Sequence, residues 1–258
     1  MISRLSAITL NTFREAVRDR VLYNLVLFVL LLVASAPLFG EISIGLERLI
    51  LVNVGLSSIS LFGVIIAVFV GIGLVSKEIE KKTLYTILSR PVRRWEFIVG
   101  KCCGLLVTLV TNTALMTVGF YIALLATAHS LHRSDANILV AIYFIVLQLM
   151  MMVAITLLFS TFSSPIFSAI FAFALFVIGT FAEDLKNFAA MASGGARWLV
   201  TALAYVVPNF ASLNVISQTA HGQAVATSLI LFNTLYAVLY SAAVTAGAVL
   251  IFERRNLK

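Results

Sequence analysis

The sequence predicts an all-α polytopic membrane protein with six transmembrane helices, and three observations carry that prediction. Hydrophobic residues make up 61% of its 258 positions and charged residues 11%, whereas soluble domains hold roughly 45–50% and about 25%. The apolar residues gather in long continuous runs and do not alternate as a membrane β-barrel requires, so each run must close its own backbone hydrogen bonds as a helix. The 18 Lys and Arg residues sit in a few segments beside those runs, as they do in cytoplasmic loops. That placement accounts for the net charge of +7 and leaves no free basic domain for a nucleic acid.

Residues 1–20 do not form a span. Ile2, Leu5, Ile8, Thr12, Phe13, Ala16 and Val17 recur at helical spacing, with Arg4, Arg14, Glu15, Arg18 and Asp19 around them. This is the pattern of an amphipathic helix lying in the membrane interface. The first span is expected over 21–39, with Pro37 near its exit, and 40–48 is a short loop. This first apolar run starts late, is long and lacks a small-residue cleavage site, so no secretory signal peptide is read.

The second span is expected over 49–75 and the third over 97–128, after a long charged stretch. A short turn, 129–135, leads to the fourth span at 136–162. Ser163-Ser164-Pro165 breaks the chain without any charge, and the fifth span follows at 166–182. Residues 183–223 are less regular yet still apolar, too short for two spans, and punctuated by Gly194-Gly195 and Pro208. They read as a re-entrant outer segment whose backbone ends are buried against protein. The last span is expected over 225–252.

With the N-terminus inside, fourteen of the eighteen Lys and Arg residues fall on the cytoplasmic side; Arg48, Arg133, Lys186 and Arg197 fall outside. That bias supports six spans with both ends cytoplasmic. The domain organisation is then an interfacial helix, 1–20, followed by a six-helix domain, 21–258, with a cytoplasmic loop at 76–101 and an outer segment at 183–223.

The charged stretch from Ser76 to Gly104 has internal order. Glu78 and Lys82 stand four residues apart, a favourable helical pair. Leu84, Ile87 and Leu88 form a small apolar face, and Ser89-Arg90-Pro91 ends that helix because the residue before proline avoids helical geometry. Arg93-Arg94-Trp95-Glu96 restarts a helix, and Lys101 marks the inner end of the third span. A merely solvated loop explains the charge but not the clustered leucines.

Taken together, Glu78, Thr83, Leu84, Leu88, Ser89, Pro91, Val92, Arg94, Glu96, Gly100 and Lys101 resemble the permease subunits of type-two ABC (ATP-binding cassette) transporters. The closest flavour is the single-domain copper-enzyme-maturation and gliding-type permeases. The amphipathic N-terminal helix, the six spans and the outer re-entrant segment extend the resemblance over nearly the whole chain. It implies that the 76–101 loop is a coupling helix docking on a separate cytoplasmic ATPase. Glu78, Leu84, Leu88, Pro91, Arg93, Arg94 and Glu96 would make that contact. It also implies a permease dimer, of identical chains or with a paralogue, embedded in membrane lipids. This chain carries no G-x-x-x-x-G-K-[ST] phosphate loop, so ATP and Mg belong to the partner, and the permease itself is no enzyme and holds no cofactor.

Polar residues within spans are the remaining candidates, because lipid makes them costly. Thr108 and Asn112 share a face of the third span, Gln148 lies in the fourth and Asn233 in the last. They either line a translocation path or hold helices together by hydrogen bonds. Gly100-x-x-x-Gly104 marks a close helix approach or a flexible start to the third span. Met150-Met151-Met152 point in three directions on a helix and serve as filler, as do Cys102 and Cys103. His129, His132 and Asp135 are too few to define a metal site. No span carries a central ionisable residue or a nucleophile with its base. That weighs against an ion-coupled carrier or an intramembrane enzyme; a secondary carrier or channel and a non-transporting scaffold stay open as alternatives.

Overall fold

The computed structural model describes residues 2–18, 24, 27–28, 31, 35, 47–80, 94–128, 135–191, 198, 201 and 206–254. Among the described residues the protein is helical throughout and has no strand. In chain order the elements are α1 (Ile2–Ala16), α2 (Glu47–Glu80), α3 (Arg94–Ala128), α4 (Ala136–Phe162), α5 (Pro165–Thr180), α6 (Ala182–Met191), a 3₁₀ turn (Ala211–Leu213), α7 (Ile216–Ala220) and α8 (Thr227–Arg254).

Four of these helices are long and apolar enough to cross a membrane: Arg48–Gly73 within α2, Arg94–Ala126 within α3, all of α4, and α8. The fourth span has the expected bounds, because Asp135 precedes it and Ser163-Ser164-Pro165 ends it. α2 and α3 run beyond the expected span bounds, to Glu80 and from Arg94, and the start at Arg94 falls where the sequence restarts a helix. Lys, Glu and Arg are good helix formers, so the helices continue past the apolar runs. α5 is apolar but has only 16 residues, about 24 Å at 1.5 Å per residue, against a hydrocarbon core of about 30 Å. The expected first span lies largely outside the described residues. Within it Phe28 is buried, its ring edge-on to Phe62 of α2 at 5.7 Å.

α4 is the central post. It packs against α2, α3, α5 and α8, and 67% of its most apolar window is buried, against 22% for α8. A helix apolar on all sides belongs in the interior; Met151, Met152, Phe144 and Leu157 of α4 are fully enclosed. The run of methionines is thus core filler. Pro165 opens α5 at a position where its missing N–H costs nothing. α5 folds back on α4, Phe171 meeting Phe159 at 5.6 Å.

The two ends of the bundle are fastened differently. At one end Arg48 of α2 pairs with Asp135, and Tyr121 Oη of α3 donates to the Asp135 carbonyl at 2.9 Å. At the other end α1 lies along α3. Its apolar stripe faces inward, with Thr12 and Ala16 buried, so this amphipathic helix rests on protein.

Candidate functional site

The first candidate region is the start of α3. Leu84, Leu88, Pro91 and Arg93 lie outside the described residues, as does most of the expected coupling helix. The backbone of Glu78 continues α2. Arg94 donates to the carbonyl oxygens of Phe252 at 3.4 Å and Glu253 at 2.9 Å. It therefore caps the C-terminal turn of α8, where carbonyls lack helical partners and a cation is favoured. The Phe97 and Phe252 rings stack beside it at 5.9 Å. Glu96 is buried.

One turn further on, α3 receives α1. A Cβ on Gly100 would stand 2.6 Å from Ile8 Cγ2, and one on Gly104 would stand 2.5 Å from Thr12 Cβ. The two glycines thus let the helices touch, which settles the open reading of this motif as close packing. Thr9 Oγ1 donates to the Gly100 carbonyl at 3.5 Å. Lys101 is 2% exposed; its ammonium lies 3.4 Å from Glu15 and 5.7 Å above the centre of the Phe97 ring. Gly100, Lys101 and Gly104 thus form a socket for α1, while Arg94 and Phe97 grip α8.

The four polar residues named from the sequence do not form one constellation. Thr108 Oγ1 is returned to its own helix, donating to the Gly104 carbonyl at 2.9 Å. Asn112, one turn further on, is buried, and its Oδ1 has no hydrogen-bond partner among the described residues. Asn233 Nδ2 donates to the Ser212 carbonyl at 2.9 Å. Gln148 Nε2 donates to Ser60 Oγ at 2.9 Å, joining α4 to α2.

Gln148 and Ser60 also line a cavity of about 170 Å³ between α2, α4, α5 and the segment that precedes α7. Its polar lining is Ser57, Ser60, Gln148, Thr180 and Asn214; Leu61, Ile145, Phe176 and Phe210 supply much of the apolar wall. Sequence reasoning missed all of these except Gln148. Ser57 and Ser60, polar positions inside an apolar run, were the available signal.

The segment 208–221 closes this cavity, and its backbone is well satisfied. Phe210 N–H reaches the Gly179 carbonyl at 3.0 Å, and Asn209 N–H reaches Tyr236 Oη at 2.8 Å. Asn209 Oδ1 accepts from Ser212 N–H at 3.1 Å, and Thr219 N–H pairs with the Val215 carbonyl at 3.1 Å. A Cβ on Gly179 would lie 2.4 Å from the Pro208 carbonyl oxygen, so only glycine admits the segment there. Asn233 and Tyr236 stand six and nine residues inside α8, roughly 9 and 14 Å from its start. Irregular backbone held at that depth needs such partners. Among the described residues no three His, Cys, Asp or Glu side chains cluster as metal ligands; His129 and His132 lie outside them.

The chain matches the family described as ABC-2 family transporter protein over residues 6–257. No curated protein matches it. The match spans nearly the whole sequence, so the chain belongs to the ABC-2 transporter family and is a multi-pass membrane permease.

Proposed function

From this membership we propose that the chain is the permease half of an ABC exporter, moving its substrate across the cytoplasmic membrane with ATP hydrolysed by a separate subunit. It has six spans and cytoplasmic ends, it dimerises, and the ATPase docks on residues 76–101. Leu84 and Leu88 are the apolar anchors in this reading, with Glu78, Pro91, Arg93, Arg94 and Glu96 around them. ATP and Mg are held by the partner.

One observation carries the proposal: fourteen of eighteen Lys and Arg residues lie on one side of the expected spans, seven of them between Lys77 and Lys101. A loop that basic stays in the cytoplasm, where an ATPase can reach it. The grip of α3 on α1 and α8 supports the reading, since force arriving at the loop would enter a braced helix. The segment 208–221 and its partners on α5 and α8 support a re-entrant outer segment.

The test is to purify the chain with its ATPase in lipid and measure ATP hydrolysis. Leu84→Asp and Leu88→Asp are expected to abolish co-purification and the stimulation of hydrolysis. Retention of both in both variants rules out docking through this loop.

A further inference from the structure

The cavity between α2, α4 and α5 has a chemical character of its own. It lies at mid-span: Ser60 and Gln148 are each twelve residues from the starts of their apolar stretches, Arg48 and Ala136, roughly 18 Å along the helix. None of its lining residues is ionisable. Gln148 is 7% exposed, and the carboxamide spends one N–H on Ser60. Its Oε1 receives no hydrogen bond among the described residues, and the side chain lines the cavity. A carboxamide oxygen left bare at membrane depth is costly and calls for a donor.

We propose that this cavity is a binding site for an uncharged amphiphile whose hydroxyl or amide N–H donates to Gln148 Oε1. The Ser60 hydroxyl, which already accepts from Gln148, has its own proton to give to the same head group. A phosphate, carboxylate or ammonium would find no counter-charge in this lining and is disfavoured. Phe176, Phe210 and Ile145 offer apolar wall to the carbons next to the head group. A cavity of about 150 Å³ takes a molecule the size of benzene, so about 170 Å³ holds a head group and its first carbons, not a whole lipid. The exposed lining residues mark the mouth: Ser57 and Leu61 of α2, one helical turn apart, with Leu61 52% exposed, and Asn214. The ligand enters sideways from the hydrocarbon. That it is the transported cargo rests on the function proposed above; that it binds does not.

The experiment uses the full chain in phosphatidylcholine nanodiscs, without ATPase, and three diazirine-bearing twelve-carbon probes: an alcohol, a carboxylate and a trimethylammonium. After illumination, crosslinks are mapped by peptide mass spectrometry. The alcohol is expected to label peptides containing Ser57–Leu61 and Phe210–Ile216, and the charged probes only the lipid-facing surfaces of α5 and α8. Gln148→Leu is expected to lower the alcohol's labelling roughly five-fold, the worth of one neutral hydrogen bond. Ser57→Trp, an exposed rim substitution that leaves the core intact, should block the mouth and lower it at least as much. Equal labelling by all three head groups, or labelling that ignores both substitutions, overturns the site. An ATPase that fails to be stimulated sinks the transport reading and leaves this result standing.

Discussion

Lys101 carries its ammonium into the seam between α1 and α3 and meets Glu15 there at 3.4 Å. The lysine side chain is 3% exposed and the glutamate 40%, so the two ends of this pair are unequal. Removing the acid strips a buried cation of a counter-charge; removing the base leaves an acid that water can solvate. Glu15→Lys, which sets a second cation beside the buried one, is therefore expected to lower the thermal midpoint in detergent; Lys101→Glu should lower it further for a different reason, because it buries a carboxylate beside Glu15. Their combination should recover part of the loss, as a double-substitution cycle would register.

The glycine socket makes a sharper prediction. Gly104→Ala places a methyl group 2.5 Å from Thr12 Cβ and 2.9 Å from the Thr9 carbonyl oxygen, so α1 must shift. The expected cost is about 1–3 kcal/mol, the range for overpacking. Gly247→Ala is the control, since its added carbon makes ordinary contact with Leu158 at 3.7 Å. Thermal unfolding should separate the two, and a cysteine at Ile8 should gain reactivity only in the Gly104 variant.

Arg94→Ala removes the donor that caps Phe252 and Glu253. The last turn of α8 is expected to fray, with faster amide exchange over Leu250–Arg254 and a stability loss of about 1 kcal/mol. Arg94→Lys should restore part of the protection. Unchanged exchange in the alanine variant would show that the stacked rings of Phe97 and Phe252 hold this end without the guanidinium.

Tyr236→Phe deletes the acceptor for the Asn209 N–H. That leaves a backbone donor bare in an apolar setting, at about 1–3 kcal/mol. Asn233→Leu, which removes a donor to the Ser212 carbonyl, should add to it. Both are expected to raise proteolysis between Pro208 and Gln223 while leaving the amide exchange of α4 unchanged.

These contacts show where sequence reading reached and where it stopped. α4 was legible to the residue because its limits are chemical: an acid before it, and two serines and a proline after it. Gly100 and Gly104 were legible as a pattern, but their partners Ile8 and Thr12 lie about ninety positions away, and spacing along one helix says nothing of what rests on it. Asn233 reads from sequence as one more costly polar residue in a span. Its bond to Ser212 depends on a fold-back that no local pattern announces. Ser60 vanished among apolar neighbours, because its role appears only when α4 brings Gln148 beside it. Leu84 and Leu88 remain where the sequence left them, as a proposal about a partner.

The shortness of α5 has a consequence for the lipid. As the fifth of the six proposed spans, its 16 residues would leave about 6 Å of a 30 Å hydrocarbon layer unmatched, and Ile166, Phe167, Val177 and Ile178 on its surface are exposed. Lipid answers such a mismatch by pinching inward, at a modest free-energy cost per ångström. Thinning of that kind beside Phe176 and Thr180 would bring head groups nearer the α5 wall of the cavity. In that six-span reading, acyl-chain length is expected to act on the protein: thinner bilayers would relieve the mismatch at α5, and thicker ones increase it.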